Sequence, residues 1–334
     1  MRRPLNILTW HVHGSYLYYL AHGPHTLYVP VKPGRPEGYG GRLPGFEWPD
    51  TLREVRAEEV AGLDLDCILF QSRKNYELDQ YEILRTAQRR LPRIFLEHDP
   101  PREHPTDTRH PVDDDNVLLV HVTPFNDLMW DSGRTPTRVV EHGVTVPAGV
   151  EHTGEIARAI VVVNGLASRG RRLGRDVFER VRSEVPLDLA GMGAEALGGL
   201  GEIGHSELPA LVARYRCFFN PIRYTSLGLS ICEAMMVGAP IVGLATTELS
   251  SVVENGVSGW VDTRVDVLVD RMRELLAEPA EARRLGEGAK RVAQERFAIG
   301  RFVRDWNAAF EEVASTRAPR ARVEPLRRSA AGHA

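Results

Sequence analysis

Asn220-Pro221-Ile222-Arg223-Tyr224-Thr225-Ser226-Leu227-Gly228-Leu229-Ser230-Ile231-Cys232-Glu233-Ala234-Met235-Met236-Val237-Gly238-Ala239-Pro240 reads as the end of a strand, a polar loop, an apolar helix and the start of another strand. The helix is expected to begin near Leu227. Its free backbone N–H groups, at Ser226 to Leu229, would then face a cleft and hold an anion such as a diphosphate, with Gly228 permitting close approach. Glu233 falls in the first two turns of an otherwise apolar helix. A carboxylate there needs a partner, and a ribose diol is a good bidentate one.

Outward from this segment, short β-rich runs alternate with helical patterns along the chain. The strand candidates of the first half are Leu5 to Trp10, Thr26 to Val31, Cys67 to Gln71, Arg93 to Glu97, Val117 to Val122 and Arg138 to Glu141. Those of the second are Ala159 to Val163, Leu187 to Ala190, Cys217 to Asn220, Pro240 to Leu244 and Gly259 to Val261. A helix is expected over Glu207 to Arg216, where Leu208, Leu211, Val212 and Tyr215 recur at helical spacing. Such alternation predicts an α/β fold of parallel sheets covered by helices. Thr145 to Gly154, with Pro147, Gly149 and Gly154, is the natural linker. Two doubly wound domains are therefore expected, 1–146 and 155–300, facing across a cleft, followed by a helix over 301–315. The basic stretch 316–334 is expected to be a disordered tail.

Composition excludes several classes. The 334 residues carry 42 Lys and Arg against 45 Asp and Glu, a formal charge of −3, so there is no electrostatic case for nucleic acid. Cys67, Cys217 and Cys232 sit in apolar runs without Cys-x-x-Cys spacing and read as buried small hydrophobes. No apolar run is long enough to span a bilayer, and no signal peptide core precedes the first strand. A cytoplasmic protein is expected, at most peripheral at the inner membrane face.

In open α/β sheets ligands bind beyond the carboxyl ends of the strands. The residues there are polar: His11-Val12-His13-Gly14-Ser15, Gln71-Ser72-Arg73-Lys74, His98-Asp99, Thr123-Pro124-Phe125-Asn126 and His142-Gly143. The long stretch Lys32 to Asp50, with four prolines and five glycines, is read as a substrate-facing loop. Histidines and carboxylates between His98 and Asp115 raise the question of a metal, but four prolines break the segment and no His-x-x-x-His helix occurs; no metal site is expected. There is no Gly-x-Ser-x-Gly elbow for a serine hydrolase. After Val163 comes the glycine-rich turn Asn164 to Gly174, with Arg169, Arg171 and Arg172 placed to neutralise a phosphate. It is neither a Walker A loop nor a Gly-x-Gly-x-x-Gly fingerprint, so ATP hydrolysis and hydride transfer lose ground.

The run Leu227 to Val242 resembles the nucleotide-sugar signature of retaining GT-B glycosyltransferases, the glycogen-synthase-like and sucrose-synthase-like group. That pattern is a Glu, seven residues, then Glu-Ala-Met-Ala-x-Gly-x-Pro-Val-Val. The resemblance continues through Ser251 to Val261 and into the helices beyond Arg296-Phe297. It implies a GT-B fold of two Rossmann-like domains. It further implies that Glu233 binds the donor ribose, and that Ser226, Leu227, Gly228 and Leu229 meet diphosphate and sugar. Arg169 resembles the phosphate-binding cation, although the register is one residue short, so Arg171 or Arg172 are alternatives. The turn Gly201 to Gly204, with Ile203, resembles the place where the base stacks. His98 resembles the sugar-contacting histidine and Gly14 the loop glycine near the diphosphate.

Two departures stand out: Thr225 replaces the first glutamate of the signature, and Gly165 stands where an arginine is expected. The resemblance implies transfer from a nucleoside diphosphate sugar to a glycan, lipid-linked or small-molecule acceptor, with retention, without metal or other cofactor, and with His98 and Arg169 as catalytic residues. Grip on the sugar would pass to the Thr225 and Ser226 hydroxyls. The departures equally motivate an alternative, a non-catalytic GT-B-fold protein that binds nucleotide-sugar or glycan and regulates a partner. A GT-B epimerase is a third reading and would need acid and base carboxylates across the cleft.

Overall fold

The structure, a computed structural model, describes residues 3–315. The tail expectation for 316–334 lies outside them. Seven strands build the first sheet: β1 (Asn6–Thr9), β2 (Thr26–Val31), β3 (Leu52–Arg56), β4 (Cys67–Phe70), β5 (Arg93–Glu97), β6 (Val117–His121) and β7 (Thr137–Val139). Five build the second: β8 (Ile156–Val162), β9 (Leu187–Ala190), β10 (Tyr215–Asn220), β11 (Ile241–Leu244) and β12 (Gly259–Asp262). The orders are β3-β2-β1-β4-β5-β6-β7 and β12-β11-β10-β8-β9, and all pairings are parallel.

The central strands are buried along their whole length, as in β4 (Cys-Ile-Leu-Phe), β10 and β11. Helices cover both faces, so these strands need no polar alternation, which is why continuous apolar runs announced them. β3 escaped the sequence reading. Arg53, Glu54 and Arg56 leave it only two buried positions, a composition suited to a sheet edge. The helix expected through Arg216 is instead Leu208–Arg214, and Tyr215 opens β10. The buried Arg216 guanidinium donates to the carbonyls of Gly154 and Leu276 and so belongs to the strand.

Strand order reverses between β1 and β4 in the first sheet and between β8 and β10 in the second. Crevices open at the carboxyl ends of strands at such switch points. The loops that emerge there begin at Trp10, Gln71, Val163 and Pro221.

The chain crosses between the halves twice. His152 and Thr153 N–H groups donate to Val237 and Ala213 carbonyls, tying the linker to the second half. The last helix, Ile299–Ser315, returns to the first half: Arg301 donates to the carbonyls of Glu141 and His142, and the buried Trp306 Nε1–H donates to Tyr16 Oη at 3.0 Å. A Cβ on Gly143 would sit 2.1 Å from Phe302 Cβ, so only glycine allows this helix its approach. No helix among the described residues is long and apolar enough to cross a membrane.

Candidate functional site

A cavity of about 770 Å³ lies between the carboxyl edges of the two sheets. Of the expected site residues, Gly14, His98, Arg169, Ile203, Thr225, Ser226, Leu227, Gly228, Leu229 and Glu233 all line it. Arg172 does not. Its backbone carbonyl accepts from the Arg223 and Tyr224 amides, which joins the two turns. Arg171 turns away to an ion pair with Asp176 at 2.6 Å. Among the described residues the Arg169 guanidinium forms no salt bridge, leaving its charge to the cleft.

The turn that carries Arg169 depends on its glycines. Gly165 and Gly174 have φ of +66° and +83°, and a Cβ on Gly174 would meet the Pro221 carbonyl oxygen at 1.9 Å. Glycine there lets the turns after β8 and β10 touch, and so lets them share one ligand.

The apolar helix is Leu229–Val237, two residues later than expected. Gly228 is its extended N-cap, and the Leu227 carbonyl accepts from His142 Nε2–H at 2.8 Å, which holds Leu227 in the loop. Burial pushes the His142 imidazole down to about 4, so the ring is neutral and Nε2 carries its proton. The helix's first turn begins at Leu229, where the Ile231 N–H already donates to the Gly228 carbonyl at 3.1 Å, and Ser226 contributes a buried hydroxyl with no partner among the described residues.

Glu233 is buried, and the sequence reading missed its neighbours. Tyr19 Oη–H donates to Glu233 Oε1 at 2.6 Å, and His205 Nε2 lies 3.2 Å from the same phenol and 3.6 Å from Oε1. Burial and the Glu233 carboxylate raise the Tyr19 pKa, which keeps its proton on oxygen. Tyr19 comes from the Gly14–Leu20 helix of the first half, His205 from beside the glycine turn of the second. Their encounter is tertiary, with no local spacing to announce it.

His98 is half-buried. Its Nε2 is 3.2 Å from Gln71 Oε1, and Gln71 Nε2–H donates to Thr9 Oγ1 and the Trp10 carbonyl, each at 2.8 Å. Those two bonds orient the amide, so His98 Nε2–H is the donor and Nδ1 bears the lone pair. Burial, with His13 and His142 nearby, holds the His98 pKa well below the usual histidine range. His13 and Tyr16 meet its ring edge-on at 4.2 and 4.9 Å.

The loop within Lys32 to Asp50 contributes Arg35, Glu37, Leu43 and Phe46 to the wall, and Phe46 packs on His205 with centroids 4.8 Å apart. Two of the five polar loops behave otherwise. Thr123 caps the Pro124–Met129 helix, accepting from Asn126 N–H at 3.1 Å, and Lys74 pairs with Asp79 at 2.5 Å. The remaining histidines of the 98–115 segment are dispersed: His110 Nε2 faces Glu97 at 3.1 Å, while His104 Nδ1 accepts from Thr106 N–H at 3.4 Å.

Residues 194–292 match the family "Glycosyl transferases group 1". Alpha-D-kanosaminyltransferase of Streptomyces kanamyceticus is 25% identical over 101 residues, 30% of this chain; the match spans about a quarter (26%) of that protein's length. Sucrose-phosphate synthase of Thermosynechococcus elongatus superposes with a TM-score of 0.70 at 14% identity, over 93% of this chain and 100% of that one. Anabaena HepE in complex with UDP-glucose gives 0.67 at 14% identity, over 92% and 100%. The chain therefore has the GT-B fold of two Rossmann-like sheets, and its residues 194–292 match the glycosyl transferases group 1 family.

Proposed function

We propose that this protein is a glycosyltransferase that takes a sugar from a nucleoside diphosphate sugar and passes it, with retention and without a metal, to a glycan, lipid-linked or small-molecule acceptor. The observation that carries the reading is the meeting, in one cavity, of Arg169 and the Ser226 hydroxyl, both without a partner among the described residues, the helix N-terminus at Leu229 and the buried Glu233. Segment 155–300 would hold the donor and 1–146 the acceptor. Breaking the glycosidic bond puts charge on the diphosphate, and Arg169 with the helix amides would stabilise it electrostatically. The leaving phosphate oxygen would take the acceptor's proton. Closure of the cleft would exclude water.

The deciding experiment is a thermal-shift screen with UDP-, GDP-, ADP- and dTDP-sugars, followed by hydrolysis and transfer assays on each hit. Stabilisation with turnover supports transfer. Binding without turnover across acceptors of all three kinds favours the regulatory reading, and no stabilisation by any nucleotide removes both.

Glu233→Ala is expected to weaken donor binding by about 1 to 3 kcal/mol, the scale of a lost charge-assisted hydrogen bond. Because the ribose is shared, calorimetry should show the bare nucleoside diphosphate losing as much as the nucleotide-sugar. Unchanged affinity would sink the ribose assignment.

His98→Ala should behave differently. A neutral ring locked by Gln71 that touches the sugar mainly in the transition state lowers turnover at saturating donor and leaves nucleoside diphosphate affinity unchanged. Wild-type turnover removes His98 from the site; equal loss in rate and affinity means the loop has been displaced.

A further inference from the structure

We propose that Asp99, reaching from the first sheet to Thr225 of the second, is the carboxylate that grips the hydroxyls of the donor sugar. This rests on the nucleotide-sugar reading above and assigns the sugar subsite within it. Asp99 lines the cavity, and Thr225 Oγ1–H donates to its Oδ1 at 3.5 Å, the side chains coming from opposite halves. Arg102 donates to Oδ2. An ionised carboxylate offers about four acceptor positions, so two remain after these bonds, enough for a pair of sugar hydroxyls.

The backbone around Asp99 is built to hold still. Its N–H donates to Glu97 Oε1 at 2.9 Å, its carbonyl accepts from Trp130 Nε1–H at 2.8 Å, and Pro100 and Pro101 follow directly. Glu97 is itself anchored through His110 at 3.1 Å. Binding groups held by such supporting contacts lose little entropy when the ligand arrives.

The surroundings also place the carboxylate at the sugar rather than the ribose. Glu233 is engaged by Tyr19 and His205. Asp99 instead sits between His98, its chain neighbour, and Thr225, which precedes the Ser226 hydroxyl, itself without a partner among the described residues. Asp99 is paired with Arg102, while Arg169, which forms no salt bridge among the described residues, lines the same cavity. A diphosphate can bind to the surplus positive charge while Asp99 faces the neutral sugar.

The test compares a bare nucleoside diphosphate with its sugar conjugate. For UDP against UDP-glucose, and GDP against GDP-mannose, calorimetry on Asp99→Asn should show the diphosphate unchanged within twofold. The conjugate is expected to lose about 10- to 100-fold in affinity. With 3-deoxy and 4-deoxy hexose conjugates, removing the gripped hydroxyl should weaken binding to the wild-type protein but cost nothing further in Asp99→Asn, since the pair acts as a cycle. Equal losses for diphosphate and conjugate, or no loss for either, overturn the assignment, as does a variant that still distinguishes the deoxy donors as the wild type does. Failure of the wild-type protein to bind any nucleotide is a separate result, and it overturns the transferase reading itself.

Discussion

Arg169→Ala is expected to lower turnover about 10²- to 10³-fold, the usual cost of removing one preorganised partner of transition-state charge. Three features single it out among the arginines of its turn. It lines the cavity, it forms no salt bridge among the described residues, and its short helix Leu166–Arg169 starts from the left-handed Gly165. Arg171 is committed to Asp176 and Arg172 stands outside the lining. Lys74→Ala is the control: Lys74 is paired with Asp79 and lies over the Tyr39 ring, away from the cavity, so its loss should leave turnover unchanged. Arg169→Lys should recover part of the rate, since the charge returns without the planar fork. Steady-state kinetics at saturating donor checks the series. A silent Arg169→Ala beside a crippled Arg172→Ala would falsify this choice of cation.

Trp306→Ala should destabilise the fold by about 3 to 5 kcal/mol, the range for emptying an aromatic site in a packed core. Trp306 is 2% exposed, packs against Phe302 and Phe310, and donates its Nε1–H to Tyr16 Oη. Tyr16 lies on the same Gly14–Leu20 helix that carries Tyr19 to Glu233, so the cavity left behind adjoins a wall of the site. Trp306→Phe keeps much of the packing and loses mainly the hydrogen bond, which costs about 1 kcal/mol. Denaturant unfolding measures both. A loss below about 1 kcal/mol for the alanine variant would mean that the last helix contributes little to holding the first half.

Much of the cavity's lining was legible because its parts are local. The turn at Arg169, the loop Thr225 to Gly228 and His98 each follow a strand in sequence, with Glu233 in the helix that comes next, and strand ends are where α/β folds place their ligands. Thr26–Val31, Arg93–Glu97 and Leu187–Ala190 are strands over the residues their apolar runs predicted. β3 was hidden because an edge strand spends its side chains on water. The helix start was misplaced by two residues because the bond that excludes Leu227 from the helix comes from His142, far away in the chain.

By itself, then, the sequence determined the parallel α/β architecture and the residue types at each strand end, because period, glycine placement and strand-end polarity are short-range properties of the chain. Which of those residues act together was decided only in three dimensions. The Tyr19–Glu233–His205 contact, the Gln71–His98 pair and the approach of Asp99 to Thr225 join side chains 186, 214, 27 and 126 positions apart. Their geometry is set by how two sheets and a returning helix pack, and long-range packing leaves no periodic trace in the neighbourhood of any one residue.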